Sequence, residues 1–556
     1  MQIEFDSDVK TVGECLRQQA QATPERVAID MIGEASETFS DCHQRSLAFA
    51  RAFIAAGLAM GETAVVMAPN CLTAIHAWLG ANLAGVVDVT INTAYRGRVL
   101  EHAVNTANAK ILIAEAGFLP VLRESEANLP ALERIVWFRV GSDPAPASVP
   151  DFKRIEIVAL DAFLAAGAQG DFDLPTVRMS DIASVIYTSG TTGPAKGVMM
   201  PHAQVCALAR QSVEGLRLGP DDVFYCFHPL FHMAGRFMAV FATMMAGGRV
   251  VIDTTFKAAL WVDRVRACGA TVGLAHGPMI EMIFAEPPRA EDSDHAVTRL
   301  LAAPFPKAIA EAFEERFHLR GIEVWGMTEV NIGAWRPIDE PLRLGSCGRV
   351  SDKWVELKIV DPDTDIECEV GTPGEIVVRP RHPFVFMSGY LGMPEKTVEA
   401  WRNLWFHSGD IGYLDAEGYC YFVDRRGDHI RRRAENIASY DIESAAMAHP
   451  AVAECAAVGV PSEFAGDDDI KLCLVPRPGR TAAPEAVLTH LAGCLPHYMV
   501  PRYIETLDQL PRTPTNKIRK AELRERGVSP QTWDRKAAGI VLRELIAATR
   551  AAKADA

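Results

Sequence analysis

The sequence of 556 residues lacks the long apolar segments and the basic charge that mark membrane-spanning and nucleic-acid-binding proteins. Its most apolar window, residues 237–245, is far shorter than the roughly 18 uninterrupted apolar residues of a membrane span. Acidic residues outnumber basic residues by 71 to 56, which gives a formal net charge of −15. Phosphate backbones are bound by basic faces. We therefore expect no integral membrane segment and no nucleic-acid partner.

The twelve cysteines form no pattern typical of a disulfide framework or a metal site. No two of them stand in a C-x-x-C pair, and none clusters with histidine at the spacing of a zinc site. The first ten residues, MQIEFDSDVK, also lack the basic, then apolar, then small-residue order of a signal peptide. These absences predict buried, reduced thiols in a cytoplasmic protein.

Length and hydrophobic pattern predict two domains of the α/β class. The chain exceeds the size that one hydrophobic core organises, so a large domain with a satellite is expected. Strand-like segments at 27–31 and 63–67 alternate with helix-like segments at 46–56 and 72–83. This alternation is typical of stacked βαβ units with mainly parallel sheets. Residues 141–180, rich in Pro, Asp and Ala, predict a surface connection.

A glycine- and hydroxyl-rich loop follows the apolar strand predicted at residues 182–187. Glycine removes the Cβ that would block a polyanion, so backbone N–H groups and hydroxyls can approach phosphates. A Walker loop would need Ser or Thr after the lysine and a helix beyond it, whereas Gly197 and a returning strand follow here. A flexible surface linker is the alternative interpretation. The candidate phosphate-binding residues are Thr188, Ser189, Gly190, Thr191, Thr192, Gly193 and Lys196.

Further motifs follow this loop in a fixed order along the chain. They are FHPLFHMAG from residue 227, LLAAPF from 300, VWGMTEV from 324, WFHSGDIGYLD from 405, YFVDRRGD from 421, DHIRRRAENI from 428 and PRTPTNKIRK from 511. Together with the loop YTSGTTGPAKG they resemble the adenylate-forming superfamily of acyl-CoA synthetases, peptide-synthetase adenylation domains and firefly-type luciferases. The local sequence around residue 434 most resembles that of carnitine-CoA-ligase-like members.

The resemblance implies a fold and a domain boundary. It implies a large N-terminal domain, residues 1–426, of stacked mainly parallel sheets with helices and a β-barrel-like subdomain. A small mobile α+β domain, residues 427–556, would follow and end in a helical tail. The expected hinge is Gly427, where relatives often carry Asp or Lys, and glycine should still permit rotation.

The resemblance also implies roles for single residues, with ATP, Mg²⁺ and coenzyme A as cofactors. His232 would stand beside the substrate carboxylate, although a lone apolar-flanked histidine is more often a satisfied core residue. The remaining roles are adenine stacking for Trp325, α-phosphate contact for Thr328, Mg²⁺ binding for Glu329, ribose contact for Asp410 and Arg425, the coenzyme A face for Ala434 and Asn436, and adenylation for Lys517. The three arginines at 431–433 could meet coenzyme A phosphates or form a solvated face.

The implied function is an ATP-dependent ligase that joins a small-molecule carboxylic acid to coenzyme A through an acyl-adenylate. Loading of a carrier protein and a non-catalytic ligand-binding relative are the alternatives. A homodimer is compatible with the resemblance. Arg236 could pair with a second carboxylate of the acid, or lie on a helix surface. The candidate lining of the acid pocket is Met233, Arg236, Met279, Val330, Asn331 and Trp335.

Overall fold

The computed structural model describes residues 11–141, 149–170, 172–188, 195–307, 309–425, 429–432, 435–464, 467–511, 518 and 520–554. The chain forms two compact units. The first comprises residues 1–93, 104–187 and 197–424, and the second comprises residues 94–103, 188–196 and 425–556. No helix within the described residues is both long and apolar enough to span a membrane.

The strands alternate with helices through most of the chain. The strands are β1 (Val27–Met31), β2 (Ser36–Thr38), β3 (Thr63–Met67), β4 (Val87–Thr90), β5 (Ile111–Glu115), β6 (Arg134–Phe138), β7 (Glu156–Ala159), β8 (Ile182–Thr188), β9 (Lys196–Pro201), β10 (Val223–Cys226), β11 (Arg249–Ile252), β12 (Val272–Ala275), β13 (Arg299–Ala302), β14 (Arg320–Met327), β15 (Asn331–Trp335), β16 (Gly348–Val350), β17 (Val355–Val360), β18 (Gly374–Pro380), β19 (Gly389–Tyr390), β20 (Trp401–Arg402), β21 (Trp405–Leu414), β22 (Tyr419–Arg425), β23 (His429–Arg432), β24 (Glu435–Ala438), β25 (Val452–Pro461), β26 (Asp468–Pro476), β27 (Tyr503–Thr506) and β28 (Trp533–Asp534).

The helices differ in burial, from α3, which is buried on nearly every side, to α12, which has no fully buried residue. They are α1 (Val12–Ala22), α2 (Phe39–Ala55), α3 (Leu72–Leu83), α4 (Gly97–Ala107), α5 (Leu119–Ser125), α6 (Leu160–Ala168), α7 (His202–Leu216), α8 (Ala242–Met245), α9 (Trp261–Cys268), α10 (Gly277–Ala285), α11 (Ala310–Phe317), α12 (Pro394–Ala400), α13 (Ser439–Met447), α14 (Pro484–Cys494), α15 (Lys520–Glu525) and α16 (Leu542–Ala554). A π-helix, Ala234–Phe241, precedes α8.

Two large sheets organise the first unit. One runs in the order β19-β9-β8-β4-β3-β5-β6-β7, and the pairs from β4 and β8 through to β6 and β7 are parallel. The other has a parallel half, β1-β11-β10-β12-β13-β14, and an antiparallel half that continues through β15, β16, β22, β21, β18 and β17. The central parallel strands β3, β4, β5, β8 and β12 are almost entirely buried, as their near-continuous apolar sequences require, whereas the edge strand β7 is partly exposed.

The second unit has an α+β organisation with its own apolar core. A four-stranded sheet in the order β25-β26-β27-β28 packs with α13, α14 and α16, and β23 and β24 form a separate hairpin. The predicted fold class is confirmed, and the antiparallel strands β15, β16, β17, β18, β21 and β22 of the larger sheet occupy the place of the predicted barrel-like part. The predicted boundary at residue 427 lies outside the described residues, so it stays a prediction.

Two local predictions were wrong. The helix expected from residue 46 begins at Phe39, because Thr38 and Asp41 form a capping box, in which each side chain accepts the other's backbone N–H. The surface connection expected at 141–180 contains β7 and α6, which pack against α2 and β6. Their short apolar runs lie between polar segments, and the overall composition of the stretch concealed them.

Candidate active site

The candidate site lies at the carboxyl edge of the parallel strands in the larger sheet. Strands β10, β12, β13 and β14 run side by side in the same direction. Ligands in open α/β sheets bind at this edge, where the strands deliver their side chains and the following loops leave room. The residues that follow the four strands are His228 and His232 after β10, His276 after β12, Ala303 after β13, and Thr328 and Glu329 after β14.

Trp325 and Asp410 meet in this unit although 85 positions separate them in sequence. The indole Nε1 of Trp325 donates a hydrogen bond of 2.9 Å to Asp410 Oδ2, and both side chains are buried. One face of the indole lies so close to Gly333 that a Cβ there would stand 2.4 Å from the ring. The contact brings together the two residues to which the resemblance gives adenine and ribose.

The turn that carries Asp410 is set by its own neighbours. Gly409 has a φ of +73°, a left-handed conformation that favours glycine. Its N–H donates to Glu375 Oε1 at 3.0 Å, and the Asp410 N–H donates to Ser408 Oγ at 3.0 Å. These bonds fix the backbone of the Ser-Gly-Asp turn, and the Trp325 indole holds the Asp410 carboxylate.

Glu329 is a buried carboxylate, with 4% of its surface exposed. The Tyr390 hydroxyl donates to Glu329 Oε1 at 2.9 Å. The backbone carbonyl of Glu329 accepts a hydrogen bond from the Met387 N–H at 2.9 Å, and the Gln204 side-chain amide donates to the Thr328 carbonyl at 2.8 Å. The described residues place no cation in an ion pair with Glu329. A buried carboxylate in that state suits a metal ion, because buried charges are paired or coordinate metals.

The phosphate loop is described only at its two ends. Thr188 Oγ1 donates to the Lys196 carbonyl at 3.4 Å, and His102 Nε2 lies 2.9 Å from the Ala195 carbonyl. Both Thr188 and Lys196 are half-buried, and the returning strand β9 begins at Lys196, as expected. The other predicted loop residues, Ser189, Gly190, Thr191, Thr192 and Gly193, lie outside the described residues.

Histidines of two neighbouring loops come together beside the predicted acid site. The His228 ring contacts the His276 ring edge-on at a centroid distance of 4.4 Å and stacks on Phe227 at 4.9 Å. His228 is 1% exposed, and neither ring nitrogen has a hydrogen-bond partner among the described residues. Burial, with smaller contributions from His276 and His232, holds the pKa of His228 well below its ordinary value. His228 is therefore neutral, and His232 and His276 remain half-buried.

Both interpretations of Arg236 were wrong. Arg236 lies at 0% exposure and forms an ion pair with Asp88, which is equally buried. Its guanidinium also donates to Thr90 Oγ1 and stands 5.0 Å from the Trp78 ring centroid. A buried guanidinium needs such a carboxylate, so Arg236 is committed to the core and is not available to a substrate.

Three other candidates for the acid pocket also make internal contacts: Val330 and Asn331 lie in the core, and the half-buried Trp335 packs against it. Val330 is fully buried, and the Asn331 amide donates to the carbonyls of Gln204 at 3.0 Å and Val385 at 3.1 Å. Trp335 packs against Gly215, where a Cβ would stand 2.4 Å from its ring. Met233 and Met279 remain half-buried. The structure therefore leaves these two methionines, with His232 and His276, as lining candidates.

Most of the site residues predicted in the second unit are not among the residues that the structure describes. Lys517, Ala434 and Gly427 lie outside the described residues, and for Arg425 and Asn436 only the backbone is described. Arg432 is an exception. It is buried, and its guanidinium donates to the carbonyls of Tyr498 at 3.3 Å and Val500 at 2.9 Å, so the expectation that it meets coenzyme A phosphates was wrong.

Comparison with known proteins identifies the family. The AMP-binding enzyme family matches residues 16–391, and the AMP-binding enzyme C-terminal domain matches residues 441–517. The first match covers more than half of the chain, so the chain belongs to the AMP-binding enzyme family. The predictions of an adenylate-forming enzyme and of the acid–thiol ligase class are thereby confirmed. ATP and coenzyme A are the cofactors that this family uses.

Individual relatives support this family assignment, because their similarity to the chain extends over most of their length. The chain is 30% identical over 514 residues to feruloyl-CoA synthase of Amycolatopsis sp, covering 91% of this chain and 97% of the relative. It is 29% identical over 481 residues to crotonobetaine/carnitine–CoA ligase of Salmonella typhi, covering 85% and 90%. The solved structure of o-succinylbenzoate CoA synthetase from Bacillus subtilis has the same fold, with a TM-score of 0.78, 24% identity, and coverage of 94% of this chain and 99% of that one.

Proposed function

We propose that the protein is an ATP-dependent carboxylic acid–CoA ligase that forms an acyl-adenylate, releases pyrophosphate and then transfers the acyl group to coenzyme A. The placement of the hydrogen-bonded Trp325–Asp410 pair and the buried Glu329 carboxylate in one unit supports the nucleotide site most strongly. The names of the relatives, which are CoA ligases and synthetases, support the choice of acceptor.

The proposed nucleotide contacts follow the chemistry of each side chain. Trp325 offers an aromatic face to adenine, and Asp410, with Arg425, offers acceptors and donors to the ribose. Thr328 contacts the α-phosphate. The loop from Thr188 to Lys196 supplies backbone N–H groups, hydroxyls and one ammonium group to the β- and γ-phosphates.

The residues around Glu329 fit a magnesium ion. Mg²⁺ binds to one or two carboxylates and to substrate phosphates in preference to an all-protein cage. Glu329 supplies one carboxylate, held by a neutral hydroxyl and free of any cation among the described residues. When bound, Mg²⁺ would neutralise part of the negative charge on the phosphates.

In the first proposed step a carboxylate oxygen of the acid attacks the α-phosphorus, and the bond to the pyrophosphate oxygen breaks in line. Both reactants are negative, so positioning and fixed positive charge must lower the barrier. We assign this charge to Lys517, with Lys196 on the leaving β- and γ-phosphates. His232 orients the carboxylate. In the second step the thiol sulfur attacks the acyl carbon and AMP leaves, with Ala434 and Asn436 on the coenzyme A path.

The proposal also specifies the chemical class of the carboxylic acid substrate. The half-buried side chains of Met233, His232, His276 and Met279 would line the acid pocket with two thioethers and two imidazoles. Arg236 is bound to Asp88, so it supplies no cation for a second carboxylate. We therefore propose a monocarboxylic acid with an apolar body.

Exchange of labelled pyrophosphate into ATP, measured with a panel of acids, tests the first half-reaction. We expect exchange only with an acid present, and a sharp loss in Lys517→Ala with ATP binding retained, because Lys517 is assigned to the transition state. A non-catalytic relative would show no exchange with any acid. Adding either coenzyme A or a carrier protein to the preformed adenylate, and measuring which one receives the acyl group, distinguishes a CoA ligase from an enzyme that loads a carrier protein.

A further inference from the structure

We propose that Tyr390 is a positioning residue that fixes the Glu329 carboxylate for a divalent cation; this inference rests on the proposed function. The Tyr390 hydroxyl donates to Glu329 Oε1 at 2.9 Å, and each side chain is 4% exposed. The two residues lie 61 positions apart in sequence. Their contact assigns one oxygen of Glu329 to the protein and leaves Oε2 for the cation.

The donor role of Tyr390 follows from its chemistry. A phenol ordinarily carries its proton at neutral pH, whereas a carboxylate oxygen can only accept. The hydrogen bond to Glu329 Oε1 therefore has a neutral donor and a carboxylate acceptor. Such bonds are shorter and stronger than bonds between two neutral groups. A neutral donor also leaves the charge of Glu329 available to a cation, which a lysine or arginine in the same place would neutralise.

The backbone around Tyr390 holds the phenol in place. Its N–H donates to Thr397 Oγ1 at 2.9 Å, and the Thr397 hydroxyl donates to the Met393 carbonyl at 3.2 Å. Tyr390 also pairs with Val198 in the antiparallel ladder between β19 and β9. A side chain fixed by a strand on one side and by α12 on the other has few alternative rotamers. Partners behind a metal ligand typically change metal affinity about 10–100-fold when removed.

The test compares two tyrosines that make the same contact in different places. Tyr390→Phe removes the hydroxyl that reaches Glu329. The matched control is Tyr225→Phe, because the buried Tyr225 hydroxyl donates to Asp253 Oδ2, also at 2.9 Å. ATP binding is measured by calorimetry on the full chain over a series of Mg²⁺ concentrations. We expect the Mg²⁺ concentration at half-saturation to rise about tenfold or more in Tyr390→Phe and to stay unchanged in Tyr225→Phe.

An unchanged Mg²⁺ midpoint in folded Tyr390→Phe would overturn the proposal, and so would an equal shift in both variants, which would indicate a general structural effect. If Tyr390→Phe does not fold, Thr397→Val serves instead. It frees the backbone of Tyr390 with little change of volume and should move the midpoint in the same direction by a smaller factor; no shift would contradict the proposal. Calorimetry requires no turnover, so these outcomes stay separate from the pyrophosphate-exchange assay.

Discussion

Glu323 should make the stability of the protein depend on pH with an unusual sign. This residue of β14 is 5% exposed, and burial raises its pKa from 4.5 to about 8, although the Phe305 N–H and Arg336 act in the opposite direction. An acid whose pKa is raised by folding contributes stability that is complete below the unfolded pKa and is lost as pH rises through the folded pKa. The contribution of Glu323 to stability should therefore be lost between about pH 4.5 and pH 8.

The substitution Glu323→Gln removes this titration and keeps the size of the side chain. Each pH step of one unit corresponds to about 1.4 kcal/mol, so the variant should gain roughly 4–5 kcal/mol relative to the parent between pH 4.5 and pH 8. The gain should then level off. Unfolding temperatures of both proteins over a pH series, at fixed salt, measure it. A difference that stays constant from pH 5 to pH 9 would refute the reasoning.

Glu126 provides a control of opposite sign. Burial raises its pKa, but the backbone N–H groups of Arg154, Lys153 and Ile155 lower it by more, so the net pKa lies below 4.5. A lowered pKa contributes stability above the unfolded value and loses it as pH falls through the folded value. Glu126→Gln should therefore be less stable than the parent at neutral pH and should approach it in acid.

Three further substitutions test local features. Leu404→Gly should raise the free energy of unfolding by about 1 kcal/mol, because Leu404 is 83% exposed and has a φ of +65° in the two-residue turn between β20 and β21; chemical denaturation measures the gain. Gly333→Ala should push the Trp325 indole, weaken ATP binding by up to about tenfold and change tryptophan fluorescence. Ala434→Gly should speed single-turnover thioester formation by roughly tenfold and leave pyrophosphate exchange unchanged, if the methyl group narrows the coenzyme A path.

The sequence predicted local elements and motif residues well, because their signals are short-range. The strand at Val27–Met31 and the helix at Leu72–Leu83 have the expected bounds, since apolar periodicity and turn residues determine both. Trp325, Glu329 and Asp410 fall within motifs of a few residues, and the structure places Trp325 against Asp410.

Contacts between distant positions could not be predicted from one sequence. The cation of Arg236 in an apolar stretch indicated either a substrate contact or a helix surface, but its partner is Asp88, which lies 148 positions away. The hydrogen bond between Tyr390 and Glu329 could not be predicted either, since neither the residue types nor their spacing indicates it. His228 lies in the same motif as His232, and its contact with His276 depends on the pairing of β10 with β12, which one sequence does not show.

Transfer of heavy oxygen tests the central claim most directly. If the carboxylate of the acid attacks the α-phosphorus, an acid labelled with heavy oxygen in its carboxylate must deliver one labelled oxygen to AMP when the acyl group is passed on. Mass spectrometry of the AMP formed in a single turnover with ATP, Mg²⁺ and coenzyme A measures this transfer. We expect one labelled oxygen in each AMP. Thioester formed with unlabelled AMP, or with the label in phosphate released from ATP, would contradict the acyl-adenylate route.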